Sequence, residues 1–403
     1  MKTSSTLPGL AEFIALIALL SSLTALAIDA MLPALPDIGR DLGATYANQP
    51  QLVLSVLFMG LALGQLFIGP LSDSAGRKPL IYGGLLVFIL GCLLSMFAHD
   101  FNTMLFGRFL QGLGAAAPRI VTMALVRDCY RGREMARIMS LTMLIFILVP
   151  MLAPILGQGI MQLADWRAIF TAFLLLALVT ALWFGMRMPE TLPPEQRSRL
   201  NRHELPAAIR EVIGHRQTIG YTLMTGLIFG AFLGYLNSVQ QILQEQYQLG
   251  ERFPWYFAVL AFSIGAASWL NSRLVMRHGM KKLSRLANRL VVLLSLLFLV
   301  IAWRTGGHPA LWLFMLYVGI LFIGIGILFG NLNSLAMEPM ERHAGLGASI
   351  VGSVSTFISI PLGILIGQLY DGTVLPLVSG FLLLGLLAQG VMFWTENARN
   401  KEE

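Results

Sequence analysis

The fold of this chain is constrained most by a series of apolar runs, each long enough to cross a lipid bilayer as a helix. A helix needs about 20 apolar residues to cross the hydrocarbon core. By that measure the 403 residues contain twelve runs, separated by short turns rich in glycine, proline and polar residues. The runs lie near residues 12–33, 50–70, 79–98, 104–126, 137–160, 168–187, 217–240, 254–275, 285–304, 310–336, 345–367 and 374–394. The pattern predicts an all-α membrane protein with twelve transmembrane helices.

Composition and charge support the same class. Only 12% of the residues are charged and the mean hydropathy is +0.72, whereas soluble domains carry about 25% charged residues. Arginine and lysine concentrate in alternate loops, at 77–78, 127–137, 187–216 and 273–289. By the positive-inside rule this places both termini in the cytoplasm. Because the rule already accounts for the net charge of +7, nucleic-acid binding is not expected.

The middle of the chain divides the runs into two sets of six. Residues 188–216 are rich in proline and charge, which is typical of a linker. The predicted units are therefore an N-terminal bundle (1–187), a cytoplasmic linker (188–216), a C-terminal bundle (217–394) and a cytoplasmic tail (395–403). The halves also echo each other at an offset of 203 residues, where Leu71, Gly76, Lys78 and Leu80 recur as Leu274, Gly279, Lys281 and Leu283. The echo predicts two pseudo-symmetric halves.

Two charged side chains lie inside predicted spans. Asp29 is in the first run, where a carboxylate costs at least about 2 kcal/mol and must face the bundle interior or water. A carboxylate that binds and releases a proton beside a cavity can couple proton flow to transport; the alternative is a hydrated, structural carboxylate near the periplasmic interface. Arg108, in the fourth run, either acts on that protonation or fixes helix packing through carbonyl hydrogen bonds. Arg119 follows on the same helix face, as a substrate, gating or structural residue.

A short polar segment, Gly69–Pro79, joins the second and third runs and is called the charged turn below. Gly76 permits a tight reversal, and Pro79 suits the first turn of a helix. A simple connection between two spans does not require Asp73, Arg77 and Lys78 at such positions. The 203-residue echo replaces Asp73 with methionine at 276 and Arg77 with methionine at 280, so the second half lacks this acid and base.

The charged turn resembles the signature between helices 2 and 3 of the major facilitator superfamily, a family of secondary transporters. Residues 29–36 are similar to a first-helix signature of its twelve-helix drug:proton antiporters, and 108–116 to the fourth-helix motif associated with proton transfer. Residues 150–159 resemble the fifth-helix antiporter signature, with alanine before Pro154 where glycine is usual. That form is similar to the bicyclomycin/chloramphenicol-resistance (Bcr/CflA) branch. Further resemblances to this branch lie at 126–128, 165–170, 270–275 and 343–349.

The resemblance implies roles for named residues. Asp29 and Arg108 would couple transport to protons, with the proton gradient as energy source and no cofactor. The charged turn would latch the cytoplasmic side in the outward-open state. The latch residues implied are Asp73, Gly76, Arg77, Arg127 and Asp128, and the antiporter motif residues are Pro150, Pro154 and Gly157.

Polar and aromatic residues that interrupt apolar spans are candidates for a substrate cavity near the midplane. They are Arg119, Tyr235, Asn237, Gln241, Asn331 and Asn333. The alternative for each polar residue is an interhelical hydrogen bond, and for an aromatic residue a place in the core or against lipid.

The leading interpretation is a monomeric drug:proton antiporter of the bacterial inner membrane that exports small hydrophobic, drug-like molecules. An exporter of one metabolite, such as a sugar, amino acid or natural product, and a non-transporting membrane sensor are the alternatives. No phosphate-binding loop points to an ATP-driven pump. The spans contain neither paired acids nor histidine ligands, and neither cysteine suggests a metal site, so we expect no enzyme and no metal site.

Overall fold

The structure is a computed structural model that describes residues 8–197, 210, 214–340 and 344–397. Most of the predicted linker and tail lies outside these residues, as does His343 of the 343–349 segment. Within them the chain is helical and has no strand. The longer helices are α1 (Leu10–Asp29), α2 (Leu35–Asp41), α3 (Leu52–Ala75), α4 (Arg77–Met96), α5 (Phe101–Cys129), α6 (Gly132–Leu163), α7 (Arg167–Arg187), α8 (Arg216–Leu236), α9 (Phe253–His278), α10 (Met280–Arg304), α11 (Leu311–Met337), α12 (Ala344–Gln368) and α13 (Leu375–Asn397).

A helix accounts for each of the twelve predicted runs. In the described part of the chain, eleven helical segments are long and apolar enough to cross a membrane. The fifth run corresponds to α6, whose apolar stretch is the shorter Leu148–Leu163. The first run is interrupted: α1 ends at Asp29, a 3₁₀ turn spans Leu32–Ala34, and α2 continues the same apolar segment. The prediction of an all-α, twelve-span membrane protein is confirmed.

Two compact units divide the chain. The described residues of Met1–Ala44 and Val56–Arg202 form the first unit, and those of Thr45–Ser55 and His203–Glu403 form the second. The second unit therefore includes Thr45–Ser55, a segment of the first half that ends within the first turn of α3. Asn48 fixes this segment there, because its side-chain amide donates to the carbonyls of Gln368 and Tyr370.

Glycine allows close helix contacts inside the first unit, where the sequence offers small residues on facing helices. A Cβ atom at Gly91 of α4 would lie 2.6 Å from the carbonyl oxygen of Gly107 in α5. A Cβ atom at Gly114 would meet α4, and one at Gly112 would overlap the backbone of Leu57 in α3. The α5 helix is thus held at short distance by both neighbours, which places Arg108 in the interior.

The second unit uses the same device on α8. A Cβ atom at Gly226 would lie 2.8 Å from the Ile358 side chain of α12, and one at Gly234 would lie 2.7 Å from Ile366. Larger residues at these positions would force the two helices apart. The close α8–α12 contact leaves the aromatic side chains of α8 to pack toward α9 and α11 instead.

Candidate functional site

Asp29 is the last residue of α1, at the break in the first membrane span. Its side chain is buried, with 6% of the residue exposed. The break has a local cause: Pro33 and Pro36 have no N–H to donate, so a continuous helix would lose backbone hydrogen bonds there. The sequence therefore places an ionisable side chain where the backbone of a membrane span is already interrupted, the arrangement in which transporters bind ions.

Arg108 lies against the same end of α1. It is fully buried, and one guanidinium nitrogen, Nη2, donates to the carbonyl oxygen of Ala27 at 2.6 Å. Nη1 donates to Gln111 Oε1 at 2.6 Å, and the group stands 5.9 Å from the centre of the Phe170 ring. The structure thus brings the two predicted proton-coupling residues to one place, with Arg108 bound to the backbone two residues before Asp29.

The fifth-span motif meets the same break. A Cβ atom at Gly157 of α6 would overlap the carbonyl oxygen of Ala30, so only glycine allows this approach. Pro154 is buried, and α6 is continuous through Pro150 and Pro154. Because Pro154 cannot donate to the carbonyl of Pro150, the helix has one less restraint next to the contact. Three motifs that are distant in sequence therefore converge on residues 27–30.

The charged turn forms a separate cluster in the first unit. Gly76 separates α3 from α4 with φ of +103°, in a region that favours glycine. The side chain of Arg77 is 9% exposed and lies between two carboxylates. Its Nη1 is 2.6 Å from Asp73 Oδ1, and its Nε is 3.0 Å from Asp128 Oδ2. Arg77 and Asp128, two of the predicted latch residues, thus form an ion pair; the latch role assigned to them stays a prediction.

Arg127, a predicted latch residue, does not join this cluster. It is exposed, and its Nε donates to the carbonyl of Met123 in its own helix at 3.4 Å. Ser72, which is not among the predicted latch residues, does join: its hydroxyl oxygen accepts from Arg77 Nη1 at 2.7 Å.

Glu190 is the main residue that sequence reasoning missed. Its Oε1 accepts from the backbone N–H of Arg77 at 3.0 Å, and its Oε2 accepts from the N–H of Lys78 at 3.1 Å. Lys78 in turn donates through Nζ to the carbonyls of Gly185 and Met188, at 2.9 and 2.7 Å. The sequence placed Glu190 in a linker. One signal was available in the sequence: Glu190 directly follows a span and lies on the same predicted membrane side as the start of α4, where an anion is favoured.

The substrate-cavity candidates of the second half are mostly engaged with other side chains. Asn237 donates to Ser55 Oγ at 2.9 Å, and Gln241 donates to Asn48 Oδ1 at 2.8 Å. Asn331 and Asn271 exchange two hydrogen bonds between α11 and α9, at 2.9 and 3.2 Å. The Asn331–Asn271 pair is an interhelical hydrogen bond of the kind that the alternative interpretation expects, and the cavity role of these residues stays a prediction.

The other candidates differ in exposure. The ring of Tyr235 is buried, with its centre 4.7 Å from that of Phe322. Asn333 is exposed and Arg119 is half-buried on α5. The described residues contain no group of three or more His, Cys, Asp or Glu side chains placed to hold a metal ion.

Comparison with known proteins identifies the family. The profile of the Major Facilitator Superfamily matches residues 17–364. The uncharacterized MFS-type transporter YdgK of Bacillus subtilis is 30% identical over 358 residues, 87% of each chain. The bicyclomycin resistance protein homolog of Haemophilus influenzae is 28% identical over 91% of each chain. The multidrug resistance protein MdtL of Escherichia fergusonii is 28% identical over 81% of this chain and 80% of its own.

Solved structures show the same fold at low identity. A D-xylose-proton symporter aligns with a TM-score of 0.74 and 12% identity, over 95% of this chain and 97% of its own. The human organic anion transporter MFSD10 aligns with a TM-score of 0.65 and 16% identity, over 96% and 99%. The resemblance to the bicyclomycin-resistance branch is confirmed by the relatives. With profile, relatives and fold in agreement, this chain belongs to the Major Facilitator Superfamily and is a multi-pass membrane transporter.

Proposed function

We propose that the chain is a proton-coupled antiporter of the bacterial inner membrane that exports small hydrophobic, drug-like molecules by alternating access, with both termini in the cytoplasm. The observation that carries the proposal is the buried carboxylate of Asp29 at a helix break, with Arg108 bound to the backbone two residues away. The names of two relatives, one a bicyclomycin and one a multidrug resistance protein, support export of drugs as the direction and cargo.

The chemistry of coupling follows from the charge of Asp29. Protonation removes the cost of burying its carboxylate, whereas loss of the proton restores a negative charge that needs water or a positive field. The fixed guanidinium of Arg108 supplies such a field at the end of α1. Exchange of a proton for cargo then changes the charge at the break, and the Gly157–Ala30 contact transfers any shift of the α1 end to α6.

The charged turn supplies the second element of the proposal. Arg77 forms ion pairs with both Asp73 and Asp128 and so joins the end of α3, the start of α4 and the end of α5. We expect this cluster to hold its ends of the three helices as one body during the cycle. A ligand or proton shifts the transport equilibrium only through a difference in its binding to the two states.

The proposal is tested by Asp29→Asn, which keeps the side-chain shape and removes the titration. Purified protein in liposomes should lose drug-dependent proton movement, read by a pH-sensitive dye inside the vesicles. In an efflux-deficient host it should lose resistance across a drug panel that includes bicyclomycin and chloramphenicol. Asp37→Asn is the matched control, because Asp37 is a more exposed acid of α2 that pairs with Arg40. Proton-driven export at full rate by Asp29→Asn would refute the assignment.

The liposome assay, run with the same drugs and with metabolites such as sugars and amino acids, separates the cargo alternatives. Resistance to several unrelated drugs supports a multidrug exporter. Proton movement with a single metabolite and with no drug would instead show a dedicated metabolite exporter. A chain that moves neither protons nor cargo, although it inserts and folds, would fit the sensor alternative.

A further inference from the structure

The carboxylate of Glu190 has no part in the function proposed above, yet it holds the charged turn from a second side. Asp128 binds the side chain of Arg77, while Glu190 binds the backbone N–H groups of Arg77 and Lys78. The same carboxylate also accepts from the N–H of Leu192 at 3.0 Å, which folds the chain after α7 around it. All of these contacts lie within the first unit.

The start of α4 needs a group of this kind. The first N–H groups of a helix have no partner within the helix, and the positive end of the helix dipole favours an anion there. The N-cap residue is Gly76, which has no side chain and so makes no side-chain cap. Glu190 supplies the missing acceptor from 113 residues away. A Cβ atom at Gly76 would lie 2.7 Å from Glu190 Oε2, so glycine at 76 is also what leaves room for the carboxylate.

The segment that carries Glu190 is fastened at several points, and residues 188–197 are called the linker strap below. The Met188 carbonyl accepts from Lys78 Nζ, and the Thr191 hydroxyl donates to Asp128 Oδ2 at 3.1 Å. Met188 and Leu192 are buried. The strap therefore touches both the backbone of the charged turn and the carboxylate that holds Arg77.

We propose that Glu190 is a positioning residue of the charged turn: it fixes the first turn of α4 so that Arg77 reaches Asp73 and Asp128 together. The start of the linker is then part of the cluster and not a passive connection. The inference deepens the proposed function, since the consequence for transport rests on the role given there to Arg77. The geometric part, that Glu190 acts through Arg77, stands independently.

Cys129 provides a native reporter. It is half-buried and follows Asp128 directly, while Cys92 is buried in the first unit. The rate at which N-ethylmaleimide alkylates Cys129 in detergent, without any drug, should rise at least threefold in Glu190→Gln and in Arg77→Met. The matched control is Glu195→Gln, which makes the same charge change in the same strap; Glu195 is exposed and forms none of the hydrogen bonds or ion pairs found among the described residues. Glu195→Gln should leave the rate unchanged.

The double variant decides between a positioning and a merely structural role. If Glu190 acts through Arg77, the combined Arg77→Met/Glu190→Gln protein is alkylated no faster than Arg77→Met alone. Multiplied rates, or a Glu190→Gln rate equal to that of Glu195→Gln, would overturn the proposal. Where Arg77→Met does not accumulate, Asp128→Asn takes its place in the cycle.

A transport measurement separates this inference from the proposed function. For efflux of the fluorescent cation ethidium, Glu190→Gln should lower kcat several-fold and change KM less than twofold, because the residue lies outside the candidate cavity. If wild-type protein moves no drug or dye, the proposed function fails while the alkylation cycle still reports on Glu190. If wild-type protein transports and the cycle is multiplicative, only the role of Glu190 is refuted.

Discussion

The turn between α3 and α4 and the turn between α9 and α10 have similar backbone conformations but different side-chain contacts. Each reverses on a glycine that also begins the next helix: Gly76 has φ and ψ of +103° and 162°, and Gly279 has +73° and 156°. At the first turn, six of the described hydrogen bonds involve Arg77 or Glu190, and one of the six joins these two residues to each other. In the second, Met280 follows Gly279, and a Cβ built at Gly279 would have no described heavy atom within 4 Å apart from its chain neighbours and its own helix backbone.

The 203-residue repeat therefore preserves the backbone conformation of the turn without preserving its charged side-chain contacts. Both glycines occupy a conformation that is essentially restricted to glycine, so the backbone alone explains why both remain glycine. The ion pairs belong to the first turn alone among the described residues of the two turns. The second half has an ion pair further along α10, where Arg285 Nη2 is 2.6 Å from Glu396 Oε2, with the Arg285 side chain 44% exposed. Exposed pairs of this kind contribute about 0–1 kcal/mol.

The comparison is tested most strongly by exchanging the residues after the two glycines. Arg77→Met should leave two carboxylates without their shared cation and lower the free energy of unfolding by about 3 kcal/mol, near the lower end for buried pairs, because the Asp73 side chain is 55% exposed. Drug export should fall more than tenfold. Met280→Arg should change stability by less than about 0.5 kcal/mol, since it places a charge on a partly exposed site.

Thermal unfolding in detergent and efflux rates measure both effects. The exchange also carries its own internal control, because each variant alters one member of a repeat pair. If Met280→Arg harms stability and export as much as Arg77→Met does, then the two turns are equivalent and the asymmetry drawn from the structure is wrong.

A smaller effect is expected when both glycines are replaced with alanine. Gly76→Ala and Gly279→Ala share the backbone strain, which is about 1–3 kcal/mol. Only Gly76→Ala also displaces the Glu190 carboxylate and so loses a helix cap, worth a further 0.5–2 kcal/mol or about 1 kcal/mol on average. Melting of the purified variants measures the difference. In a Glu190→Ala background that difference should shrink to the contribution of the other contact of the added Cβ, with Arg197 Nη2 at 2.9 Å. A difference as large as in the wild-type background would show that the two glycines differ for another reason.

Much of the fold was predictable because the bilayer imposes strong rules on sequence. Length and hydropathy predicted twelve apolar runs, each of which is a helix in the structure, and Pro33 accounts for the break after Asp29. The pairing of Arg77 with Asp128 was also predictable, since an acid at the end of one helix and a base at the start of another lie on one predicted membrane side. A charged residue in or beside the bilayer needs a partner or water, so few arrangements of such residues are possible.

The parts that sequence did not predict depend on contacts with little compositional signal. Glu190 acts through backbone N–H groups, which every helix start offers, so no partner residue announces it. Asn237, Gln241 and Asn331 are polar residues in apolar spans, and sequence alone cannot separate a hydrogen bond to a neighbouring helix from one to a ligand. The structure gives each of them a side-chain partner.

The smallest expected effect concerns the N-terminal caps of α5 and α11, which are the fourth span of each half. Asp100 caps α5: its Oδ1 accepts from the N–H of Thr103 at 2.9 Å, and its Oδ2 from the Thr103 hydroxyl at 2.7 Å. The corresponding cap of α11 is Ala310, which has no side chain able to bond. Asp100→Ala should lower the melting temperature less than Gly279→Ala does. Ala310→Asp should raise it, because the added carboxylate caps the start of α11.

The pH dependence distinguishes a charged cap from a packing effect at Asp100. The bonds from the Thr103 hydroxyl and N–H hold the pKa of the Asp100 carboxyl below its ordinary value. The folded state therefore gains stability above the ordinary aspartate pKa of about 3.9, and this gain is lost as pH falls through the lowered folded value. Melting temperatures of wild type and Asp100→Ala should converge over that acidic range, while Asp100→Asn, whose cap does not titrate, keeps a constant offset from Asp100→Ala. If wild type melts above Asp100→Ala by the same amount at pH 7 and at pH 3, the effect of Asp100 is due to packing. The caps of α5 and α11 would then not differ through a charged group.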